Sequence, residues 1–273
     1  MIACSFSRLV TVLVLSLWLS SAGTAQADAL RIGAEDDWYP YTALREGQIV
    51  GMSADIVRAA FAASGTAIDL TPYPYSRCME LTRTGKLPAC FNTTPDPDIR
   101  AAYLLPQQAL FTGSIMLWGR AGAEPVGDLS ELVGKRVAVT IGYTYGEQFD
   151  NYPGIQRIPV RRDINGFLML QRGRVDYVIA FNGTTRALMQ ERPSLVGQFA
   201  PVATVHRPQL FLTFSRRHPD APALMQRFDE GMQRITQDGT YMQILGKWQL
   251  ADGQSDGQGS TLHEHHNDKT ESP

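Results

Sequence analysis

The sequence predicts an α/β fold made in two halves. Strands and helices alternate from residue 30 to about residue 91, then a long apolar strand and a glycine-rich polar segment interrupt the pattern. The alternation starts again at residue 136 and runs to about residue 191. Alternation of this kind puts strands side by side in a largely parallel sheet with helices on its faces. The clearest unit is Lys135 to Phe149, where the valine-rich strand Arg136–Thr140 meets a turn at Gly142. Thr144 is expected to cap a helix starting near Tyr145, aiming free N–H groups and a positive dipole end at a small anion.

In the first half, Leu30 to Ala34 reads as a strand that runs into the acidic and aromatic stretch Glu35 to Tyr41. A hairpin turn at Arg45-Glu46-Gly47-Gln48 follows. Ser53 is expected to cap a helix whose apolar residues Ile56, Val57, Ala60 and Phe61 share one face. Gly65 ends that helix, and Ala67 to Leu70 returns as a strand. A helix over about 77–84 and a strand near Ala89 to Phe91 repeat the unit.

Phe111 to Trp118 reads as one long apolar strand. The second alternation comprises strands over 136–140, 155–160 and 175–180, with helices from about Tyr145, over 163–172 and over 184–191. Strand returns within Pro201 to Phe214. Asp220 and Pro222 open a long helix, with proline at an early position where its missing N–H costs nothing. A short helix over 241–248 ends the folded part.

The chain is expected to be exported. Arg8, the apolar run Leu9–Leu19 and Ala25-Gln26-Ala27 form a signal segment, residues 1–27, cleaved after Ala27. Eleven residues are too few to span a bilayer, and Cys4 lies on the wrong side of the apolar run for a lipid anchor. A periplasmic location follows. Of 273 residues, 44% are hydrophobic and 19% charged, an ordinary globular balance; the net charge of -2 gives no reason to expect nucleic acid. Cys78 and Cys90 remain after cleavage, and in an oxidising compartment that pair favours a disulfide over two separate buried thiols. Residues 251–273 are too polar to fold and read as a disordered tail. His263-Glu264-His265-His266 within it reads as solvated rather than as a metal site, and neither metal nor cofactor is expected.

Several short stretches, in order, carry a resemblance: Leu30-Arg31-Ile32-Gly33, Val50 to Ile56, Thr93-Thr94-Pro95 followed by Arg100, Leu132 to Val139, Gly173 to Asp176, Asp238 to Tyr241, and Lys247-Trp248. Together they resemble the family 3 periplasmic solute-binding proteins, the polar amino-acid receptors of ABC importers. The resemblance implies a two-lobed, type II periplasmic-binding-protein fold whose lobes are joined by two hinge strands and close on a ligand. Lobe 1 would be residues 28–110 plus 211–250, and lobe 2 residues 111–210, with crossings near 109–113 and 206–210. It also implies a monomer that meets a small-molecule ligand and the permease of an ABC importer.

By the same resemblance, the ligand carboxylate would be held by Arg100, with Thr94 and Asn92 beside it, and by Thr144 near Thr140 from the other lobe. A guanidinium suits a planar carboxylate because it offers a forked pair of donors. Trp38 and Tyr75 match aromatic positions that stack on ligands, and Glu35 matches an acidic position facing a polar ligand side chain. Two departures stand out. The Thr94–Arg100 interval is two residues longer than usual, which displaces the arginine, and Phe181, followed by Asn182, stands where the family has an aspartate for the α-ammonium.

The leading expectation is therefore a receptor that binds a small polar, carboxylate-bearing solute, an amino acid or relative. A dehydratase-like enzyme on the same fold would need a positioned acid or base, for which Glu35 is the cleft candidate. A ligand-sensing partner of a membrane signalling protein would share the same binding chemistry.

Overall fold

The computed structural model describes residues 29–248. The signal segment and the polar tail with its histidines lie outside the described residues.

The first sheet holds β1 (Leu30–Glu35), β5 (Ile68–Tyr73), β6 (Ala89–Thr93), β7 (Tyr103–Leu104) and β14 (Gln209–Ser215), in the order β5-β1-β6-β14-β7, with β8 (Phe111–Thr112) paired to β14. β1 runs parallel to β5 in full register, Leu30 opposite Ile68 through Glu35 opposite Tyr73. The second sheet holds β9 (Ile115–Arg120), β10 (Arg136–Thr140), β11 (Gln156–Val160), β12 (Tyr177–Phe181) and β13 (Phe199–His206), in the order β11-β10-β12-β9-β13. Here β10 is parallel to β11 and β12, while β9 is antiparallel to β12 and β13. The first sheet thus has β5 at one edge and the second β11, and each sets one antiparallel strand, β14 or β9, next to its other edge.

A small hairpin layer, β2 (Asp37–Trp38), β3 (Thr42–Arg45) and β4 (Gln48–Val50), follows β1. Glu46 at φ 51 and Gly47 at φ 79 both sit in the left-handed region that a tight two-residue hairpin turn requires. Helix α1 (Met52–Ala63) begins at Gly51, not at a Ser53 cap. Gly51 has φ 132, and a Cβ there would lie 2.2 Å from the Tyr41 carbonyl oxygen, so only glycine lets the hairpin sit against the helix start.

After β5 come α2 (Tyr75–Arg83) and, beyond β6, the short α3 (Pro97–Ala102). The second sheet carries α4 (Glu147–Asn151), α5 (Asp163–Gln171) and α6 (Asn182–Glu191); the chain closes with α7 (Ala221–Gln237) and α8 (Thr240–Lys247). The apolar stripe of α7 packs on α1, where Phe228 meets Phe61 at 5.6 Å and Phe214 at 6.1 Å between ring centroids. This contact ties the C-terminal segment to the first sheet.

The expected single strand 111–118 is two, β8 and β9, because the chain crosses between sheets at Gly113-Ser114. The return crossing is Arg207-Pro208. The two run antiparallel side by side: Leu110 N–H donates to the Leu210 carbonyl at 2.7 Å and Gly113 N–H to the Pro208 carbonyl at 2.9 Å. A Cβ on Gly113 would lie 2.8 Å from the Phe181 ring, so glycine is needed for this close pass.

Cys78 on α2 and Cys90 on β6 are joined in a disulfide with a Cα separation of 6.0 Å. Both are fully buried beneath Gly33, where an added Cβ would come within 2.5 Å of Cys78 Sγ.

Candidate ligand-binding cleft

Parallel strands with helices on their faces bind ligands outside their carboxyl ends. Both sheets present those ends to one cleft. Glu35 closes β1, Tyr75 starts α2 just after β5, and Asn92 lies near the end of β6. Thr140 ends β10, Asp163 starts α5 just after β11, and Phe181 ends β12. The cleft has a volume of about 790 Å³ and is lined from one side by Glu35, Asp37, Trp38, Arg45 and Tyr75 and from the other by Thr140, Tyr143, Arg162, Asp163 and Glu191. An inner chamber of about 20 Å³ continues from it among Trp38, Asn92, Thr94, Tyr143, Thr144 and Phe181.

Two buried carboxyl groups dominate its electrostatics. Burial pushes the Glu35 carboxyl up to about 8; the hydrogen bond from Tyr143 opposes this, and Asp163, Asp36 and Asp37 add to it. Burial pushes Asp163 up to about 6, against a hydrogen bond from Thr140. Thr140 Oγ1 donates to Asp163 Oδ1 at 2.5 Å, and Tyr143 Oη donates to Glu35 Oε1 at 2.5 Å across the cleft. Burial and then Glu35 hold the Tyr143 phenol far above its ordinary range, so it stays a donor. Among the described residues, neither carboxylate has a cationic hydrogen-bond or ion-pair partner.

Aromatic rings form the inner wall. Trp38 packs on Tyr41 at 4.3 Å, edge-on to Phe181 at 4.9 Å and edge-on to Tyr143 at 6.3 Å. Tyr143 is also edge-on to Tyr75 at 5.8 Å. Phe181 therefore builds the wall and supplies no charge. Three cleft-lining residues carry buried polar atoms without a partner: Trp38 Nε1, Asn92 Oδ1 and Thr184 Oγ1. Asn92 donates through Nδ2 to Thr42 Oγ1 at 2.6 Å and sits at φ 73, in the left-handed region that asparagine tolerates better than most side chains. Two ion pairs bridge the rim, Arg162 to Asp37 at 2.6 Å and Arg45 to Glu191.

The structure does not assemble the expected carboxylate grip. Arg100 is exposed on α3 and lines neither the cleft nor its inner chamber. The interval Pro95-Asp96-Pro97-Asp98 explains this. Asp96 caps α3 by accepting from Ile99 N–H at 2.7 Å, which starts a helix and carries Arg100 round to the outside. Thr144 lines the inner chamber, but it caps no helix. Gly146, at φ 105, precedes a five-residue α4, and Tyr145 N–H donates to Asp150 Oδ2 at 2.8 Å. An internal carboxylate thus takes the donor that an anion was expected to meet. Asn182 opens α6 with its N–H bonded to the Ser114 carbonyl at 2.8 Å and does not line the cleft. Glu35, Trp38, Tyr75, Asn92, Thr94, Thr140 and Phe181 do come together.

Asp163, Tyr143 and Arg162 were not singled out from the sequence. Asp163 and Arg162 had a usable signal, since they follow a strand directly and open a helix at the carboxyl edge of a parallel sheet. Tyr143 had none, because its role depends on reaching a residue 108 positions away.

Two α/β lobes, linked by paired crossings and facing a polar cleft at their strand ends, define the class of two-lobed solute-binding proteins. The pattern of the bacterial extracellular solute-binding proteins, family 3, matches residues 30–251, and the chain belongs to that family. It is a solute-binding protein, not an enzyme. ABC transporter arginine-binding protein 1 of Escherichia coli (strain K12) is 23% identical over 248 residues, covering 86% of this chain and 98% of that one. An ancestral arginine-binding protein bound to arginine superposes with a TM-score of 0.70 at 21% identity, covering 81% of this chain and 97% of that one. A histidine kinase sensor domain with similarity to periplasmic binding proteins gives a TM-score of 0.73 at 17% identity, covering 81% and 96%.

Proposed function

We propose that this protein is a periplasmic receptor that binds a small basic amino acid, or a close relative bearing a carboxylate, and presents it to the permease of an ABC importer. One observation carries the basic character: Glu35 and Asp163 are buried in the cleft with no cation to offset them. A buried carboxylate hydrogen-bonded only to neutral hydroxyls is costly to ionise, and an amine or guanidinium entering the cleft turns that cost into attraction. The arginine-binding relatives support the same choice. In this reading residues 28–110 plus 211–250 and residues 111–210 move as two bodies about the crossings near 109–113 and 206–210, as a monomer. The signal segment is removed after Ala27. Glu35, Asp163 and Thr140 meet the cationic group, and Trp38 and Tyr75 supply ring faces, each worth about 0.5–2 kcal/mol to a cation.

Thermal unfolding of the mature protein with L-arginine, L-lysine, L-glutamate and L-leucine tests this. Basic amino acids should raise Tm in a concentration-dependent way. A rise with L-glutamate alone would refute the basic ligand while leaving a receptor.

A further inference from the structure

Cations gather on one face of the first lobe, at the end of its sheet away from the cleft. β6 begins at Ala89 where β14 ends at Ser215, and Ser215 N–H donates to the Pro88 carbonyl at 2.8 Å. The cleft lies at the other end of β6, beside Asn92. This join sets the segment after β14, which carries Arg216 and Arg217, against the segment after α2, which carries Lys86. Contacts on either side widen the group. A Cβ on Gly85 would lie 3.0 Å from Arg217 Cβ, and Arg216 Nη2 donates to the Arg100 carbonyl of α3 at 3.0 Å. Arg77 and Arg83 stand on α2 itself.

All six of these side chains are exposed. Glu80 is taken up by Arg83, whose Nε and Nη2 donate to its two oxygens at 2.8 Å each. That hydrogen bond first, and the charges of Arg83, Arg77 and Arg217 after it, hold the Glu80 carboxyl below its usual range. Positive potential from more than one segment thus overlaps at this face. Arg77, Lys86, Arg100, Arg216 and Arg217 make no ion pair among the described residues. Besides Glu80, the same segments carry Asp98 on α3 and Asp220, which lies 3.9 Å from His218, so the six cations remain in excess. The whole chain has a net charge of -2, which makes that excess local.

The face also lacks an apolar centre. Among the described residues the exposed large apolar side chains are Leu44, Val133, Ile141, Val196 and Met242, all on other segments. A protein–protein interface is built round such a centre. Guanidiniums without one, each a fork of donors free of a carboxylate, match a surface of phosphates instead.

We propose that this face of the first lobe rests on the anionic phospholipid surface of a bilayer, with Lys86, Arg216 and Arg217 at its centre and Arg77, Arg83 and Arg100 around them. The contact is peripheral and electrostatic, and salt weakens it. It leaves the cleft clear, because the two lie at opposite ends of the sheet, and it holds whichever solute the cleft takes.

Cosedimentation of the mature protein with vesicles tests this. One set is phosphatidylethanolamine with about one-third phosphatidylglycerol; the other is phosphatidylcholine alone. At about 50 mM salt the wild type should partition at least about tenfold more onto the anionic vesicles, and about 0.5 M salt should remove most of that preference. Arg216→Glu/Arg217→Glu should lose about tenfold, while Arg216→Lys/Arg217→Lys should keep most of the binding. Arg172→Glu/Arg174→Glu makes the same charge change at exposed positions of the second lobe and should partition as the wild type does. Circular dichroism melting checks that each variant is folded. Equal partition of the wild type onto both vesicle types, or no effect of salt, would overturn the proposal whatever the variants do. So would an equal loss in the second-lobe variant, which would make net charge the cause and not this face.

Discussion

Replacing Glu35 by glutamine removes one ionisable proton from the cleft and keeps a polar group that can accept from Tyr143. In the native chain the carboxyl is pushed from 4.5 to about 8, chiefly by burial. The folded state then holds a proton that the unfolded chain has released between those two values, so stability falls as pH rises through that window. Each tenfold step is worth about 1.4 kcal/mol, so the full displacement costs on the order of 5 kcal/mol once the carboxylate is ionised. At pH 5 little of the cost has appeared; by pH 9 nearly all of it has. For a folded part of this size each kcal/mol moves Tm by about 2–4 °C. Glu35→Gln should therefore match the wild type in Tm near pH 5 and exceed it by about 10 °C or more at pH 9, measured by circular dichroism. It should also lose affinity for the basic ligand. Parallel Tm profiles of the two proteins from pH 5 to pH 9 would refute the argument, since they would mean that Glu35 ionises freely in the fold.

Binding of a cation beside Glu35 at pH 7 should release about one proton, visible as a dependence of calorimetric enthalpy on the buffer's ionisation enthalpy; the release should vanish above pH 9. Arg100→Ala should leave ligand-induced stabilisation unchanged, because that side chain is exposed on α3 away from the cleft; a lost thermal shift would restore it to the site. Converting both Cys78 and Cys90 to serine should cost about 3 kcal/mol, read as a lower denaturant midpoint at unchanged slope. Gly51→Ala should destabilise the protein by about 2 kcal/mol or more, because its Cβ would meet the Tyr41 carbonyl.

The frame of the fold is legible in the chain because it is written in local signals. The valine alternation of Arg136–Thr140 is a strand with the bounds its pattern implies, and Arg45 to Gln48 makes the turn its residues imply. Signals that compete locally mislead. Ser53 is a good cap by type, but Gly51 alone fits against Tyr41. Thr144 reads as the tip of an anion site until Asp150, five residues beyond Tyr145, turns back onto that residue's N–H. Only part of the cleft is legible, for a related reason. Residues at strand ends are placed by the sheet, so Glu35, Thr140 and Phe181 could be found. Arg100 lies within the six-residue helix that Asp96 caps, and Tyr143 acts on a partner that only the fold brings near.

The cystine also constrains the order of events during maturation. Both sulfurs are shielded from solvent, one of them pressed against a strand that tolerates no side chain above it. A reductant in solution cannot reach them until the lobe opens, and an oxidant is shut out just as firmly once it has closed. The crosslink must therefore form while this lobe is still assembling. A chain that folds first in a reducing compartment would keep two thiols that later exposure to air cannot readily join.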